Sequence, residues 1–120
     1  MSVTNFEEFT HELTSEEMEI LPVVVHGFRN YKKANPIKSE LIVTRLNEYL
    51  LARGYKIKMN GPRLRKMVNY IRSNGLIPLI ATSHGYFTSD CKQTILEQIT
   101  SLQERANSIE NAVQGLKKFL

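Results

Sequence analysis

Several residue types that build common functional sites are scarce in this chain of 120 residues. Tryptophan is absent and Cys91 is the single cysteine, which excludes an intrachain disulfide and any zinc site built from cysteines. No apolar run approaches the roughly 18 residues that a membrane-spanning helix needs. No basic segment precedes an apolar one at the start, so we expect no signal peptide, no membrane partner and a cytoplasmic location.

Motifs that carry enzymatic chemistry are also missing from the sequence. There is no glycine-rich phosphate loop, no histidine pair at metal-binding spacing, and no set of serine, histidine and acid on predicted loops. The histidines, His11, His26 and His84, are scattered along the chain. We therefore expect a protein that is not an enzyme and that holds no metal and no cofactor.

Positive charge is unevenly distributed. Residues 1–28 hold acids but no lysine or arginine, whereas residues 29–75 are rich in both. The net charges of residues 1–28, 29–75 and 76–120 are −6, +10 and 0, which account for the net charge of +4. A concentrated positive charge attracts a phosphate backbone, although many small domains carry basic faces for solubility alone.

Residues 60–75 predict a basic amphipathic helix. Asn60 is a candidate N-cap, Pro62 falls in the first turn, and Asn74 with Gly75 forms a stop signal. The helical spacing of four apolar residues predicts a buried stripe of Leu64, Met67, Val68 and Ile71. The other sides of the helix are mostly cationic and carry Arg63, Arg65, Lys66, Asn69, Tyr70 and Arg72.

Two further helices precede the basic helix. Thr14 and Glu17 form a capping box that begins the first, which should run to about Lys33 or Ala34. Its predicted buried residues are Met18, Leu21, Val25 and Phe28. Pro22 should kink this helix, and two shorter helices are the alternative. Ile37 and Lys38 form a possible short strand.

The second helix should run from Glu40 to Arg53, with Ser39 as its cap and Gly54 as its stop. Its predicted buried residues are Ile42, Leu46, Tyr49 and Leu50. After the basic helix, residues 76–81 and 86–88 predict a hairpin whose turn spans Thr82 to Gly85.

The order helix, short strand, helix, turn, helix, hairpin over residues 14–88 resembles a winged helix-turn-helix DNA-binding domain. Residues 54–88 are similar in pattern to small uncharacterised winged-helix proteins of bacteriophages and mobile elements. The expected fold is thus mainly α with a small β-hairpin, consisting of an acidic arm (1–13), a winged helix domain (14–88) and a long C-terminal helix (89–120). The resemblance also implies a bacterial host cell.

The resemblance implies that the third helix lies in the DNA major groove and that the hairpin touches the adjacent backbone or minor groove. The residues expected at base edges are Asn60, Arg63, Lys66, Asn69 and Tyr70. Those expected at phosphates are Lys56, Lys58, Arg65 and Arg72. Ser83 and His84 would be the hairpin contacts, although the hairpin carries no lysine or arginine. The alternative for the cationic side is a solvated helix face.

The last segment shows a sustained repeat of 3.5 residues. After Ser89 or Asp90 as cap, the apolar positions are Ile95, Ile99, Leu102, Ala106, Ile109, Val113, Leu116 and Leu120. This is the pattern of a coiled coil, which predicts a homodimer through this helix. A single helix folded back on its own domain is the alternative.

Two functions of different class follow. The first is a dimeric double-stranded DNA-binding protein, a small phage or mobile-element regulator of transcription or replication. The second is a protein-interaction module that uses the winged helix as a scaffold and its coiled coil to bind a host or phage protein.

Overall fold

The computed structural model describes residues 12 to 120. His11 and all but Glu12 and Leu13 of the predicted acidic arm lie outside the described residues. The chain divides into two compact units at the boundary between Ser89 and Asp90.

Over the described residues the fold is mainly helical, with one antiparallel hairpin, as the sequence predicts. The elements are α1 (Ser15–Arg29), α2 (Ser39–Ala52), α3 (Gly61–Ser73), β1 (Leu79–Thr82), β2 (Gly85–Thr88) and α4 (Lys92–Lys117).

Helix α1 begins at the predicted capping box but buries a different face from the one expected. The Thr14 hydroxyl accepts a hydrogen bond from the Glu17 N–H, and the Glu17 carboxylate accepts one from the Thr14 N–H. The buried residues are Glu17, Ile20, Val24 and Phe28. Of the predicted stripe, Phe28 is buried, and Leu21 and Val25 are half-buried and pack against the core. The prediction was wrong for Met18, which is 46% exposed.

The end of α1 also differs from the prediction. The helix stops at Arg29, before the expected Lys33 or Ala34, and Asn30 caps it through its backbone N–H. Pro22 lies inside one continuous helix, so the alternative of two shorter helices is excluded.

Helix α2 has the predicted length, with small differences in its caps and its buried face. Lys38 rather than Ser39 occupies the N-cap position, and no side chain caps the helix there. Gly54 follows the helix with φ of +80°, a conformation that glycine adopts without a steric penalty. Ile42, Leu46 and Leu50 are buried as predicted. The prediction for Tyr49 was wrong, because this side chain at the helix edge is 41% exposed.

Helix α3 matches the prediction in its caps and its buried stripe. The Asn60 side chain accepts a hydrogen bond of 2.8 Å from the Arg63 N–H, and Asn74 ends the helix ahead of Gly75. Leu64, Met67, Val68 and Ile71 are all buried.

The hairpin pairs Leu79 with Thr88 and Thr82 with Gly85, which leaves a two-residue turn. Ile37 forms a single bridge to Tyr86 through two backbone hydrogen bonds of 2.9 and 2.8 Å, so the predicted short strand is confined to one residue. Gly85 is required beside this bridge, because its φ is +125° and an added Cβ would lie 2.5 Å from the Ile37 carbonyl oxygen.

The core of the first unit lies between the three helices and the hairpin. Its largest fully buried side chains include Phe28, Ile20, Leu50 and Met67. Phe28 also packs edge-on against Tyr86, with ring centroids 5.4 Å apart. Helix α3 therefore rests on a continuous apolar base that fixes which of its sides reach solvent.

The second unit is dominated by α4. The helix begins at Lys92 with Cys91 as N-cap, rather than at the expected cap of Ser89 or Asp90. Among the residues described, no helix is long and apolar enough to cross a membrane.

Candidate nucleic-acid interface

Helix α3 presents a polar stripe on the side away from its buried face. Arg65, Asn69 and Arg72 lie four and three residues apart, so helical periodicity places them along one line of the surface. Arg65 and Asn69 are exposed, and Arg72 is half-buried. Arginine and asparagine are the residue types that make paired hydrogen bonds to guanine and adenine.

A second pair of cations on α3 contacts a buried carboxylate of α1. The Arg63 Nε lies 2.8 Å from Glu17 Oε2, and the Lys66 Nζ lies 2.7 Å from Glu17 Oε1. The Glu17 side chain is only 2% exposed, and the exposed fractions of the two cations are 29% and 19%. Arg63 also donates to the Lys58 carbonyl oxygen from Nη1, at 2.6 Å. Two of the residues predicted to read bases therefore form an internal ion-pair cluster with Glu17.

The cluster changes the titration of Glu17. Burial alone would raise the pKa of this carboxyl, but hydrogen bonds from Lys66, the Thr14 backbone and Arg63 favour the charged form. Together with the charge of Lys66, they lower the pKa from 4.5 to about 2. Glu17 is thus ionised at neutral pH and fixes both cations against α1.

The loop before α3 alternates between inward and outward side chains. Ile57 and Met59 are buried, and Lys56 and Lys58 are exposed. Asn47 of α2 holds this loop, because its side chain accepts from the Met59 N–H at 2.7 Å and donates to the Met59 carbonyl at 3.0 Å. Both lysines consequently project from an anchored segment that leads into α3.

The turn of the hairpin carries Ser83 and His84, and both are exposed as expected. Lys38, at the start of α2, donates a 2.8 Å hydrogen bond to the Ser83 carbonyl. A cation therefore lies beside the hairpin tip, even though the hairpin itself has no lysine or arginine.

The other residues predicted to contact bases differ in their exposure and in their hydrogen bonds. The Asn60 side-chain oxygen is engaged as the cap of α3. Tyr70 is half-buried, one residue beyond Asn69. Of the five residues expected at base edges, Asn69 is the one that is exposed without serving as a cap.

Two residues that matter to this surface, Glu17 and Asn47, were not foreseen as parts of it. Glu17 precedes Ile20, Val24 and Phe28 at helical spacing and so lies on the buried stripe of α1, but periodicity alone does not select this stripe. Asn47 lies between the buried Leu46 and Leu50, and only the position of the Met59 backbone explains its role.

The apolar repeat of α4 is exposed over most of its length. Ile109 is 60% exposed and Leu116 is 70% exposed, and Leu102 and Val113 are also exposed. Of the eight predicted dimerisation residues, Ile95 is half-buried, and the other seven, which include Ile99, Ala106 and Leu120, are exposed.

Comparison of the chain with protein-family models, with curated proteins and with solved structures finds no match. Over residues 12 to 120, no three histidine, cysteine, aspartate or glutamate side chains are grouped as metal ligands.

Proposed function

We propose that this chain is a winged helix-turn-helix protein that binds double-stranded DNA. Helix α3 enters the major groove, and the hairpin lies against the neighbouring backbone. The protein acts as a dimer in regulating transcription or replication, in the manner of the small regulators of phages and mobile elements.

The backbone around the hairpin supports the winged-helix assignment. The bridge between Ile37 and Tyr86 attaches the chain between α1 and α2 to the edge of β2. The hairpin is thereby held at a fixed position beside the start of α2, as a wing must be if it is to contact DNA together with α3.

The observation that carries the proposal is the outward pair of Arg65 and Asn69, which the half-buried Arg72 follows along the same line of the helix. Helix α3 contains no acidic residue, so no carboxylate of its own opposes a phosphate backbone. In this arrangement Asn69 reads a base edge, and Arg65 and Arg72 contact either guanine or the flanking phosphates.

Three exposed lysines outside α3 add to the basic surface. Lys56 and Lys58 project from the anchored loop, and Lys38 lies beside the hairpin tip. Lysine contacts to phosphate position a protein on DNA without specifying sequence.

The contact with Glu17 gives Arg63 and Lys66 a different role from the one first expected. Their charged groups orient α3 on α1, so we assign them as positioning residues rather than base-reading residues. Buried ion pairs of this kind resist rearrangement, because removing one partner leaves an uncompensated charge.

Dimerisation through α4 is the second part of the proposal. A helix of 26 residues is about 39 Å long, and its apolar repeat follows the coiled-coil spacing. In a parallel pair, Arg105 faces Glu110 of the second copy, a contact worth about 0.2–1 kcal/mol at an exposed site. Two copies of α3 would then address the two halves of a pseudo-palindromic site.

Single substitutions test the DNA surface. We expect Asn69→Ala to lower affinity for a selected duplex by about 1–3 kcal/mol while leaving random duplex nearly unaffected. Lys56→Ala should weaken both duplexes equally and reduce the salt slope by about 1. Lys118→Ala is the control, because it removes the same charge from the other unit of the chain. If Lys118→Ala and Lys56→Ala had equal effects, the proposed surface would be wrong.

The exposed repeat of α4 also supports a second candidate, a module that binds another protein through this helix. The two functions predict different results for the oligomeric state and for duplex binding. A protein that is monomeric at tens of micromolar and does not bind duplex DNA at low salt would favour the interaction module.

A further inference from the structure

A cleft of about 470 Å³ lies between the second half of α1 and the outer face of α2. Its volume is in the range of small-molecule sites. Ile42 and Leu46 are buried and form its apolar floor, and Val23 is half-buried. This cleft takes no part in the proposed DNA surface.

Gly27 opens the space above the floor. A Cβ at this position would lie 3.4 Å from the Cδ2 of Leu46, so any side chain there would fill part of the cleft. The glycine lies within a helix at a negative φ, where alanine is the more favourable residue. Backbone conformation therefore does not require glycine here, and its lack of a side chain leaves this part of the cleft open.

Polar and aromatic groups line the same cleft. Arg45, His26 and Asn30 are exposed lining residues, and Tyr31 and Tyr49 contribute aromatic rings. The Arg45 guanidinium donates from Nη1 to the Tyr31 hydroxyl and lies 5.9 Å from the Tyr31 ring centroid. These contacts hold the guanidinium at the cleft.

Among the described residues, no carboxylate lies within ion-pair distance of Arg45. Its hydrogen bond to Tyr31 uses Nη1, which leaves other N–H donors for a ligand. A guanidinium that is fixed next to an apolar floor is complementary to a ligand with a carboxylate at one end and a flat apolar body.

We propose that this cleft binds a small aromatic monocarboxylate. The carboxylate is paired with Arg45, and the ring lies on Ile42 and Leu46 beside Tyr49. A single anionic group is specified because Arg45 is the one lysine or arginine among the residues that line the cleft, and His26 supplies at most one further hydrogen bond.

The test is a titration of the isotopically labelled full-length protein, followed by amide chemical shifts. The probes are 2-naphthoate and 2-naphthalenemethanol, which share a ring system and differ in charge. We expect naphthoate to shift the amides of His26, Gly27 and Leu46 and to bind at least about tenfold more tightly than the alcohol, because hydrogen bonds to charged groups are the stronger kind.

Variants then locate the contact. Arg45→Met should reduce naphthoate binding to the level of the alcohol, whereas Arg29→Met, an exposed change outside the cleft, should not. Gly27→Ala should weaken the binding of both probes. The variant should fold, because alanine is favourable within a helix.

Three results would overturn the proposal. Equal binding of the acid and the alcohol would mean that the cleft has no anion site. Shifts confined to the exposed repeat of α4 would mean that the ring binds there instead. Equal effects of Arg45→Met and Arg29→Met would show that Arg45 does not contact the carboxylate.

Discussion

Replacing Glu17 by glutamine tests the ion-pair cluster between α1 and α3. Glutamine retains the length of the side chain and can still accept the Thr14 N–H in a capping box, so the change removes mainly the charge. Arg63 and Lys66 would then lose the carboxylate that lies within 2.8 Å of both. Their partly buried charges would be left uncompensated.

The pKa of Glu17 gives the expected magnitude. A carboxyl with a pKa lowered from 4.5 to about 2 stabilises the folded state at neutral pH by about 3 kcal/mol. Little discount for solvent applies, since the side chain is 2% exposed. This stabilisation is fully present above the unfolded-state pKa of 4.5 and is lost as pH falls towards the folded-state value of about 2.

Urea unfolding at pH 7 and at several values between pH 5 and pH 2 measures this contribution. Glu17→Gln should lower the free energy of unfolding at pH 7 by about 3 kcal/mol and should lose stability less steeply than the wild type below pH 4.5. Glu16→Gln is the matched control, because Glu16 is an exposed neighbour in the same first turn, and it should change stability by less than about 0.5 kcal/mol. Equal losses in the two variants, or an unchanged pH dependence in Glu17→Gln, would refute the reasoning.

Three further predictions concern DNA binding, dimerisation and the hairpin. Arg65→Ala should lower duplex affinity by about 1–3 kcal/mol in anisotropy titrations, whereas Arg63→Ala should mainly reduce the free energy of unfolding. The opposite ranking in affinity would restore the original assignment. Ile109→Asp should shift the dimer to monomer in sedimentation equilibrium without altering the melting of the first unit, and Ser108→Asp, one residue away from the apolar repeat, should not. Gly85→Ala should lower the free energy of unfolding by at least about 2 kcal/mol in urea titrations, because its φ is positive and its Cβ would meet a backbone carbonyl; a loss below 1 kcal/mol would contradict that contact.

Helix α3 shows what local sequence is able to specify. Its cap at Asn60, its stop at Gly75 and its buried stripe were all predicted, because each depends on residues within one helix. The hairpin was likewise predicted, but with wrong bounds, because β1 begins at Leu79 rather than at residue 76 and Thr82 and Gly85 pair in the strands instead of lying in the turn.

Helix α1 shows where periodicity is insufficient. Residues 20–25 are apolar, with Pro22 among them. Two overlapping stripes, one through Leu21 and Val25 and the other through Ile20 and Val24, therefore fit the helical repeat equally well. The structure selects the stripe that contains Ile20 and Val24, and this choice places Glu17 inside the first unit. No local feature distinguishes the two, because the choice depends on packing against α2 and α3.

The candidate site was only partly predictable for the same reason. The sequence identified α3 as the basic helix, but it did not reveal that Arg63 and Lys66 contact the Glu17 carboxylate. Glu17 lies 46 residues before Arg63 in the chain. Of the residues of α3 that remain outward, Asn69 was expected at a base edge and Arg65 at a phosphate, but the pattern did not show that they are more exposed than Arg63 and Lys66. Long-range contacts determine which cations of an amphipathic helix are available to a partner.

The central claim, that this chain binds duplex DNA, is tested most directly by the salt dependence of binding. Fluorescence anisotropy of a labelled random duplex with the full-length protein should show binding at low salt that weakens linearly in log Kd with log salt concentration, as counterion release requires. A selected pool should in addition be enriched for a two-fold-symmetric site. Absence of binding at low salt, despite the net charge of +10 on residues 29–75, would contradict the account.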